Sequence, residues 1–167
     1  MQTDLFGATS GAVLSDCGRY RYTLTRRWAP GAPMLFVMLN PSTADASMDD
    51  PTIRRCIGFA KREGCGALEV VNLFAFRATD PAALSTATDP IGPDNDRHIV
   101  EAAVRGGVIV AAWGASVPAA LRTRPAQVGR LLRETRLRLW CLGMTSGGAP
   151  RHPLYVRGDA ALVPWIV

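Results

Sequence analysis

A chain of 167 residues with 48% hydrophobic residues is long enough to bury the core of one domain without disulfide bonds. No apolar run is long enough to cross a bilayer, which excludes a membrane-spanning helix from the expected fold. The net charge of +5 comes almost wholly from arginine, because Lys61 is the only lysine among 19 basic residues. Arginine suits phosphate-bearing partners, although an arginine-rich composition reflects codon bias equally well.

The cysteines are scattered along the chain, at Cys17, Cys56, Cys65 and Cys141. Their spacing matches no zinc site and no signal peptide is recognisable, so we expect reduced thiols in a cytoplasmic protein. Cys56 and Cys141 fall on predicted core faces. We expect a single domain over residues 1–167, with residues 1–15 poorly ordered and with no metal or cofactor. The sequence makes no prediction of the oligomeric state.

Two strands are predicted near the start of the chain. Residues 19–28 alternate aromatic or aliphatic with basic side chains, which is typical of a half-exposed strand. Residues 34–39 are all apolar and predict a strand buried on both faces of a sheet. The polar turn that follows, at residues 40–45, leaves the core where ligands of α/β proteins usually bind.

A helix is predicted over residues 51–63. Asp50 occupies the N-cap position and Pro51 the first helical position. The acids around this start, Asp45, Asp49 and Asp50, are close enough in sequence to bind a hard cation, but acids before a helix usually cap it and are solvated.

The rest of the chain continues to alternate between apolar and amphipathic segments. Apolar runs predict strands, amphipathic runs predict helices, and segments rich in Gly, Pro, Asp or Thr predict loops. The predicted strands are residues 68–75, 108–113 and 137–142, the helices are residues 93–104 and 125–135, and the loops are residues 80–93 and 143–153. Strands separated by helices favour parallel pairing, so we predict a three-layer α/β/α sandwich with a mainly parallel four-stranded central sheet.

The carboxyl ends of parallel strands share one edge of a sheet, where residues distant in sequence converge. The polar and aromatic residues after the four strands are Asn40, Ser42, Asn72, Phe74, Trp113, Thr145, Arg151 and His152. An asparagine presents one acceptor and two donors in a plane, which matches the edge of a nucleobase. Phe74, Phe76 or Trp113 can stack on its face.

Each of these residues also has a purely structural interpretation. Asn72 can satisfy a neighbouring backbone group, Phe74 can belong to the core, and Trp113 can cap it. A phosphate loop and a dinucleotide fingerprint are both missing from the sequence, which disfavours an ordinary nucleoside triphosphatase or a dinucleotide enzyme. Ser42 lacks the flanking glycines of a nucleophile elbow.

Over nearly its whole length the chain resembles a bacterial family known as domain of unknown function 1643. The motifs that carry this resemblance are Leu39-Asn40-Pro41-Ser42-Thr43-Ala44, Asp50-Pro51-Thr52, Val71-Asn72-Leu73-Phe74, Gly92-Pro93-Asp94-Asn95-Asp96, Trp113-Gly114 and His152-Pro153-Leu154-Tyr155. The family implies no activity.

The order of the strand-end motifs is also similar to that of the uracil-DNA glycosylase superfamily. In that group one strand ends in a Gly-x-Asn-Pro or Gly-Gln-Asp-Pro turn, a second in a base-reading Asn, and a third in Trp-Gly-Ala. Here the matching motifs are Leu39-Asn40-Pro41, Val70-Val71-Asn72 and Trp113-Gly114-Ala115. The leading glycine is replaced by Leu39, and no carboxylate precedes Pro41.

This second resemblance implies a uracil-DNA glycosylase-like fold and hydrolysis of an N-glycosidic bond of a base in nucleic acid. It implies that Asn72 binds the base edge, with Phe74, Trp113 and Thr145 around the base. Asn40 with Ser42 or Asp45 would place the water, and His152 or Thr145 would donate toward the base. Arg54 and Arg151 would bind phosphates. The alternatives are a non-catalytic nucleic-acid or nucleotide binding module, or an enzyme acting on a free small metabolite.

Overall fold

The computed structural model describes residues 2–3, 9–42 and 44–166. The prediction that residues 1–15 are poorly ordered falls partly outside these ranges, as does Thr43 of the first family motif. Within them, residues 9–14 form a strand paired with its neighbour.

The described residues form one eight-stranded sheet with α-helices and short 3-10 helices between the strands. The strands are β1 (Gln2–Thr3), β2 (Thr9–Leu14), β3 (Arg21–Arg27), β4 (Pro33–Met38), β5 (Ala67–Asn72), β6 (Val108–Ala111), β7 (Leu139–Cys141) and β8 (Val163–Pro164). The α-helices are α1 (Pro51–Arg62), α2 (Asn95–Arg105) and α3 (Arg124–Glu134), and the 3-10 helices are Pro81–Ser85, Ala119–Leu121 and Pro153–Tyr155.

The sheet is mixed, with the order β1-β2-β3-β5-β4-β6-β7-β8. Strands β5, β4, β6 and β7 pair in parallel, and these are the four buried strands that the sequence predicted. The prediction of a mainly parallel four-stranded sheet is nevertheless wrong, because four further pairings in the described residues are antiparallel. The added strands β1, β2 and β8 lack a long apolar run, so their sequence carries no strand signal.

The helices cover both faces of the sheet. Helix α1 packs on one face through its buried stripe of Ile53, Cys56, Phe59 and Ala60. Helices α2 and α3 pack on the other face. The predicted start of α1 is confirmed, since Asp50 Oδ1 accepts a hydrogen bond of 2.8 Å from the Ile53 backbone and Pro51 is the first helical residue.

Strand β3 is more buried than its alternating sequence predicted. It lies inside the sheet between β2 and β5, so its basic residues Arg21 and Arg26 are buried. Arg26 is paired with Asp49 at 2.8 Å, whereas Arg21 has no such partner in the described part of the chain.

Strand β4 has β5 on one side and β6 on the other. The order of the strands therefore reverses at β4, which creates a switch point at the carboxyl end of this strand. Open α/β sheets bind ligands in the crevice at such a switch point. Cys56 and Cys141 are buried, as predicted, and both are free thiols. Among the described residues, no helix combines the length and the apolar character needed to cross a membrane.

Candidate functional site

A cavity of about 320 Å³ opens at the carboxyl ends of β4, β5 and β6, at the switch point of the sheet. It brings together seven of the predicted site residues: Asn40, Ser42, Asn72, Trp113, Thr145, Arg151 and His152. Chain segments separated by more than 100 residues therefore converge, as the parallel arrangement predicted. The cavity has a volume typical of small-molecule sites.

Asn72 is the last residue of β5 and only 1% of its surface is exposed. Its Nδ2 is buried and has no hydrogen-bond partner among the described residues. Val70, two positions earlier on the same face of the strand, also lines the cavity. A buried donor without a partner is costly, and at a cavity it points to a ligand that supplies the acceptor.

Arg21 lines the same cavity and was not predicted from the sequence. It is 3% exposed, and its Nη1 donates to the Ala44 carbonyl, while its Nε is buried and has no partner within the described ranges. Burial lowers the pKa of the guanidinium to about 10, against the raising influence of Asp50. Arg21 therefore remains a cation at neutral pH.

Asp50 also lines the cavity, in addition to its role at the start of α1. One carboxylate oxygen accepts from the Ile53 backbone, so the other oxygen is not needed by the cap. Burial lowers the pKa of His152 and of Arg21, and the charge of Asp50 partly opposes this lowering. The sequence indicated the helix cap but not this second role, because a cap position says nothing about the cavity behind it.

Asn40 uses both of its amide hydrogens to hold the turn after β4. Its Nδ2 donates to the Ala78 carbonyl at 2.7 Å and to the Pro41 carbonyl at 3.1 Å. These bonds tie the turn to the segment that follows β5. Asn40 thus offers the cavity an acceptor oxygen but no free donor.

His152 approaches the cavity from the loop after β7. Its Nδ1 accepts a hydrogen bond of 3.2 Å from the Leu154 backbone, so a neutral imidazole carries its proton on Nε2. Burial lowers the pKa of His152, and Asp50 opposes this effect. A Cβ at Gly114 would lie 3.1 Å from that of His152, and the φ of +74° at Gly114 also favours glycine.

The cavity is also lined by Thr145, Arg151, Trp113 and Tyr155. Thr145 Oγ1 accepts from the Ala149 backbone at 3.0 Å, and Arg151 Nε donates to the Met144 carbonyl at 3.0 Å. Trp113 is buried and packs edge-on against Trp165, with ring centroids 5.0 Å apart. Tyr155 is 79% exposed, so it is a ring at the mouth that the sequence did not single out.

Three predicted site residues lie elsewhere in the structure. Phe74 is fully buried in the core beneath α2 and α3 and does not line the cavity. Asp45 accepts hydrogen bonds from the backbones of Ser47 and Met48, which lower its pKa. Arg54 is exposed on α1 and donates to the Asp49 carbonyl. Strand-end or turn position alone did not distinguish these residues from those that line the cavity.

The family model described as Protein of unknown function (DUF1643) matches residues 21–154. The chain belongs to this family. The match to DUF1643 begins at Arg21 and includes every residue that lines the cavity except Tyr155. No curated protein and no solved structure matches the chain. The resemblance to uracil-DNA glycosylases therefore stays a prediction.

Proposed function

We propose that the cavity binds a nucleobase or nucleoside and that the protein hydrolyses its N-glycosidic bond. The observation that carries the proposal is the unpartnered Nδ2 of Asn72, buried at the end of β5 against the cavity. A carboxamide held in this way favours a planar ligand edge that carries an acceptor. The side chain of a strand residue is also held rigidly, which suits recognition.

The cavity has room for such a ligand. Its volume of about 320 Å³ lies near the lower end of small-molecule sites. Trp113 forms part of its wall, and Tyr155 adds an exposed ring at the mouth. A heterocycle that entered with its polar edge toward Asn72 would have aromatic surface close to its faces.

The charged groups of the cavity suit a reaction in which a cationic sugar and an anionic base develop. The carboxylate of Asp50 would stabilise the positive sugar and orient water toward it. His152 would donate a hydrogen bond from Nε2 to the leaving base and keep its proton. Water supplies the hydroxyl of the sugar product and one proton, and that proton replaces the sugar on the base.

A non-catalytic binding module is the second candidate, and the state of Asn40 favours it. Both amide hydrogens of Asn40 hold the turn, and no carboxylate stands immediately before Pro41. In this case the same cavity would bind the base without cleaving it.

The test is release of free base from oligonucleotides and from free nucleosides that carry uracil, hypoxanthine, methylated or hypermodified bases. We expect free base from at least one substrate, measured by chromatography, and loss of that activity in Asn72→Ala. Gln127→Ala removes a carboxamide on α3 that does not line the cavity, so it should retain activity.

The possible results separate the two candidates. Binding of a base or an oligonucleotide without any release would support the binding module and contradict the hydrolase. Full activity in Asn72→Ala would contradict the assignment of the cavity as the site of the reaction.

A further inference from the structure

Arg21 is a buried cation that the described residues leave without an ion-pair partner. Its Nη1 bond to the Ala44 carbonyl is the hydrogen bond that its side chain makes within the described residues, and its Nε is buried without a partner. None of the ion pairs in the described part of the chain includes it. A buried guanidinium in this state favours a ligand group that carries negative charge.

The other buried arginines are compensated, which makes Arg21 the exception among them. Arg26 pairs with Asp49 at 2.8 Å, and Arg124 pairs with Asp96. Arg77 and Arg26 add repulsive positive charge near Arg21. Asp50 and Asp45 attract it, but neither is within ion-pair distance.

Arg21 and Asn72 are placed to act on the same ligand group. Arg21 begins β3 and Asn72 ends β5, and these two strands are antiparallel, so the two residues lie at the same end of the sheet. Both line the cavity, and each has a buried nitrogen donor for which residues 2–3, 9–42 and 44–166 supply no partner. The pair therefore offers donors, one of them cationic, to a single acceptor edge.

We infer that Arg21 is the catalytic cation that stabilises the negative charge of the departing base held against Asn72. This inference rests on the proposed N-glycosidic hydrolysis. The bond between the sugar carbon and the base nitrogen breaks, and both of its electrons stay on the nitrogen. Water adds its oxygen to the sugar carbon, and its released proton finally neutralises the base. Arg21 acts mainly as charge develops, so it lowers the barrier more than it strengthens substrate binding.

The test compares leaving bases of different acidity in Arg21→Gln. A base that ionises easily needs less help from a cation. We expect the variant to lose about 100-fold in kcat/KM with a weakly acidic base and less than about tenfold with a strongly acidic analogue of it. For a pyrimidine substrate, the series is the unsubstituted, 5-fluoro and 5-nitro base. A loss that is equal for all three bases would overturn the inference.

Two further variants control for charge and folding. Arg21→Lys keeps the cation and should recover part of the lost rate. Arg130→Gln removes the same charge from an exposed position on α3 outside the cavity, and its rates should equal those of the wild type. The comparison is between substrates of one variant. Partial unfolding would therefore lower the rate by the same factor for every substrate and would not change the ratios between substrates.

Binding of free bases separates failure of this inference from failure of the proposed function. Calorimetry at pH 8 compares 5-nitrouracil with uracil and xanthine with hypoxanthine, since the first base of each pair ionises near neutral pH. We expect the ionised base of at least one pair to bind the wild type and Arg130→Gln about tenfold more tightly than its neutral counterpart. Arg21→Gln should lose this preference.

Equal binding of both members of each pair would overturn the role of Arg21, while base release would still support the hydrolase. If none of the four bases binds, the nucleobase site and the role of Arg21 both fail.

Discussion

Buried Asn and Arg side chains lie around the end of β5 on both faces of the sheet, and their hydrogen bonding differs between the two faces. On the face of α2 and α3, Asn95 donates to the carbonyls of Asn72 and Leu73 at 3.0 and 3.1 Å. Arg124 Nε donates to the same Leu73 carbonyl at 2.9 Å. On the cavity face, Asn72 Nδ2 and Arg21 Nε have no partner among the described residues.

This difference separates side chains that stabilise the fold from side chains whose donors are available to a ligand. Asn95 and Arg124 satisfy backbone carbonyls that the parallel strand leaves at its end, so they stabilise the strand and the helices that follow it. Asn72 and Arg21 have buried donors that no described residue pairs, which costs stability unless a ligand compensates. Residue type and burial are alike on the two faces. The difference lies in the donor groups, because Asn95 Oδ1 is also buried without a partner among the described residues.

The largest effect is expected for Arg124→Met. The change removes the bond to the Leu73 carbonyl and leaves Asp96 without its partner, so we expect a loss of about 3 kcal/mol in the free energy of unfolding. Denaturant titration measures it. Arg130→Met on the exposed side of α3 is the matched control and should change stability by less than about 0.5 kcal/mol. Equal losses in the two variants would show that Arg124 does not hold the fold.

Asn95→Ala should cost about 2 kcal/mol of unfolding free energy, because it removes the buried hydrogen bonds to the Asn72 and Leu73 carbonyls. The Leu73 carbonyl keeps its bond from Arg124. Asn95→Asp should cost at least as much, since a carboxylate has the same shape but cannot donate to these carbonyls. The same denaturant titration applies. Wild-type stability in Asn95→Asp would contradict the assigned hydrogen bonds.

Asn72→Ala should change the unfolding free energy by less than about 1 kcal/mol, although it lies directly opposite Asn95. The lost packing of the side chain is offset by removal of an unpaired donor. The same variant should bind no base. A loss of stability as large as that of Asn95→Ala would mean that Asn72 is structural and would remove the contrast between the two faces.

The smallest expected effect is the contribution of two histidines to the pH dependence of stability. His152 lies at the cavity, and His98 lies on α2 on the other face of the sheet. Burial lowers the pKa of His152 at the cavity and of His98, whose ring stacks on Tyr22 at 4.7 Å. At acidic pH the unfolded chain therefore binds more protons than the folded chain. The stability that the neutral, buried histidines contribute is present above about pH 6.5 and is lost as the pH falls through their lower pKa in the folded state. His98→Asn and His152→Asn should each flatten the fall in unfolding free energy between pH 7 and pH 5. An unchanged slope in both variants would contradict the burial of the rings.

Local patterns in the sequence were sufficient for the elements that build the core. The cap at Asp50, the proline at Pro51 and the apolar stripe of α1 are local signals, and they predicted the helix to within one residue of its end. The four parallel strands were predicted because each is a run of apolar residues. Strands β2 and β8 were missed, since residues of mixed character form a strand only when a neighbour offers its backbone edge.

Part of the cavity lining was predicted, because the order of strands and helices determines which strand ends meet. Asn72 and His152 follow apolar strands, and parallel strands bring their ends together, so their convergence followed from the order of the elements. Arg21 lies in an alternating stretch that resembles a half-exposed strand. Only the position of β3 inside the sheet turns that arginine into a buried cation at the cavity.

The sequence by itself determined the α/β character, the parallel core and the strand ends at which polar residues gather, because these depend on short-range periodicity and chain order. Tertiary structure alone decided which polar groups are satisfied. At the end of β5, Asn95 and Arg124 donate to backbone carbonyls, and Phe74 lies in the core. At the cavity, Asn72 Nδ2 and Arg21 Nε have no partner in the described part of the chain. Hydrogen-bond partners come from elements far apart in the chain, and no local pattern specifies them.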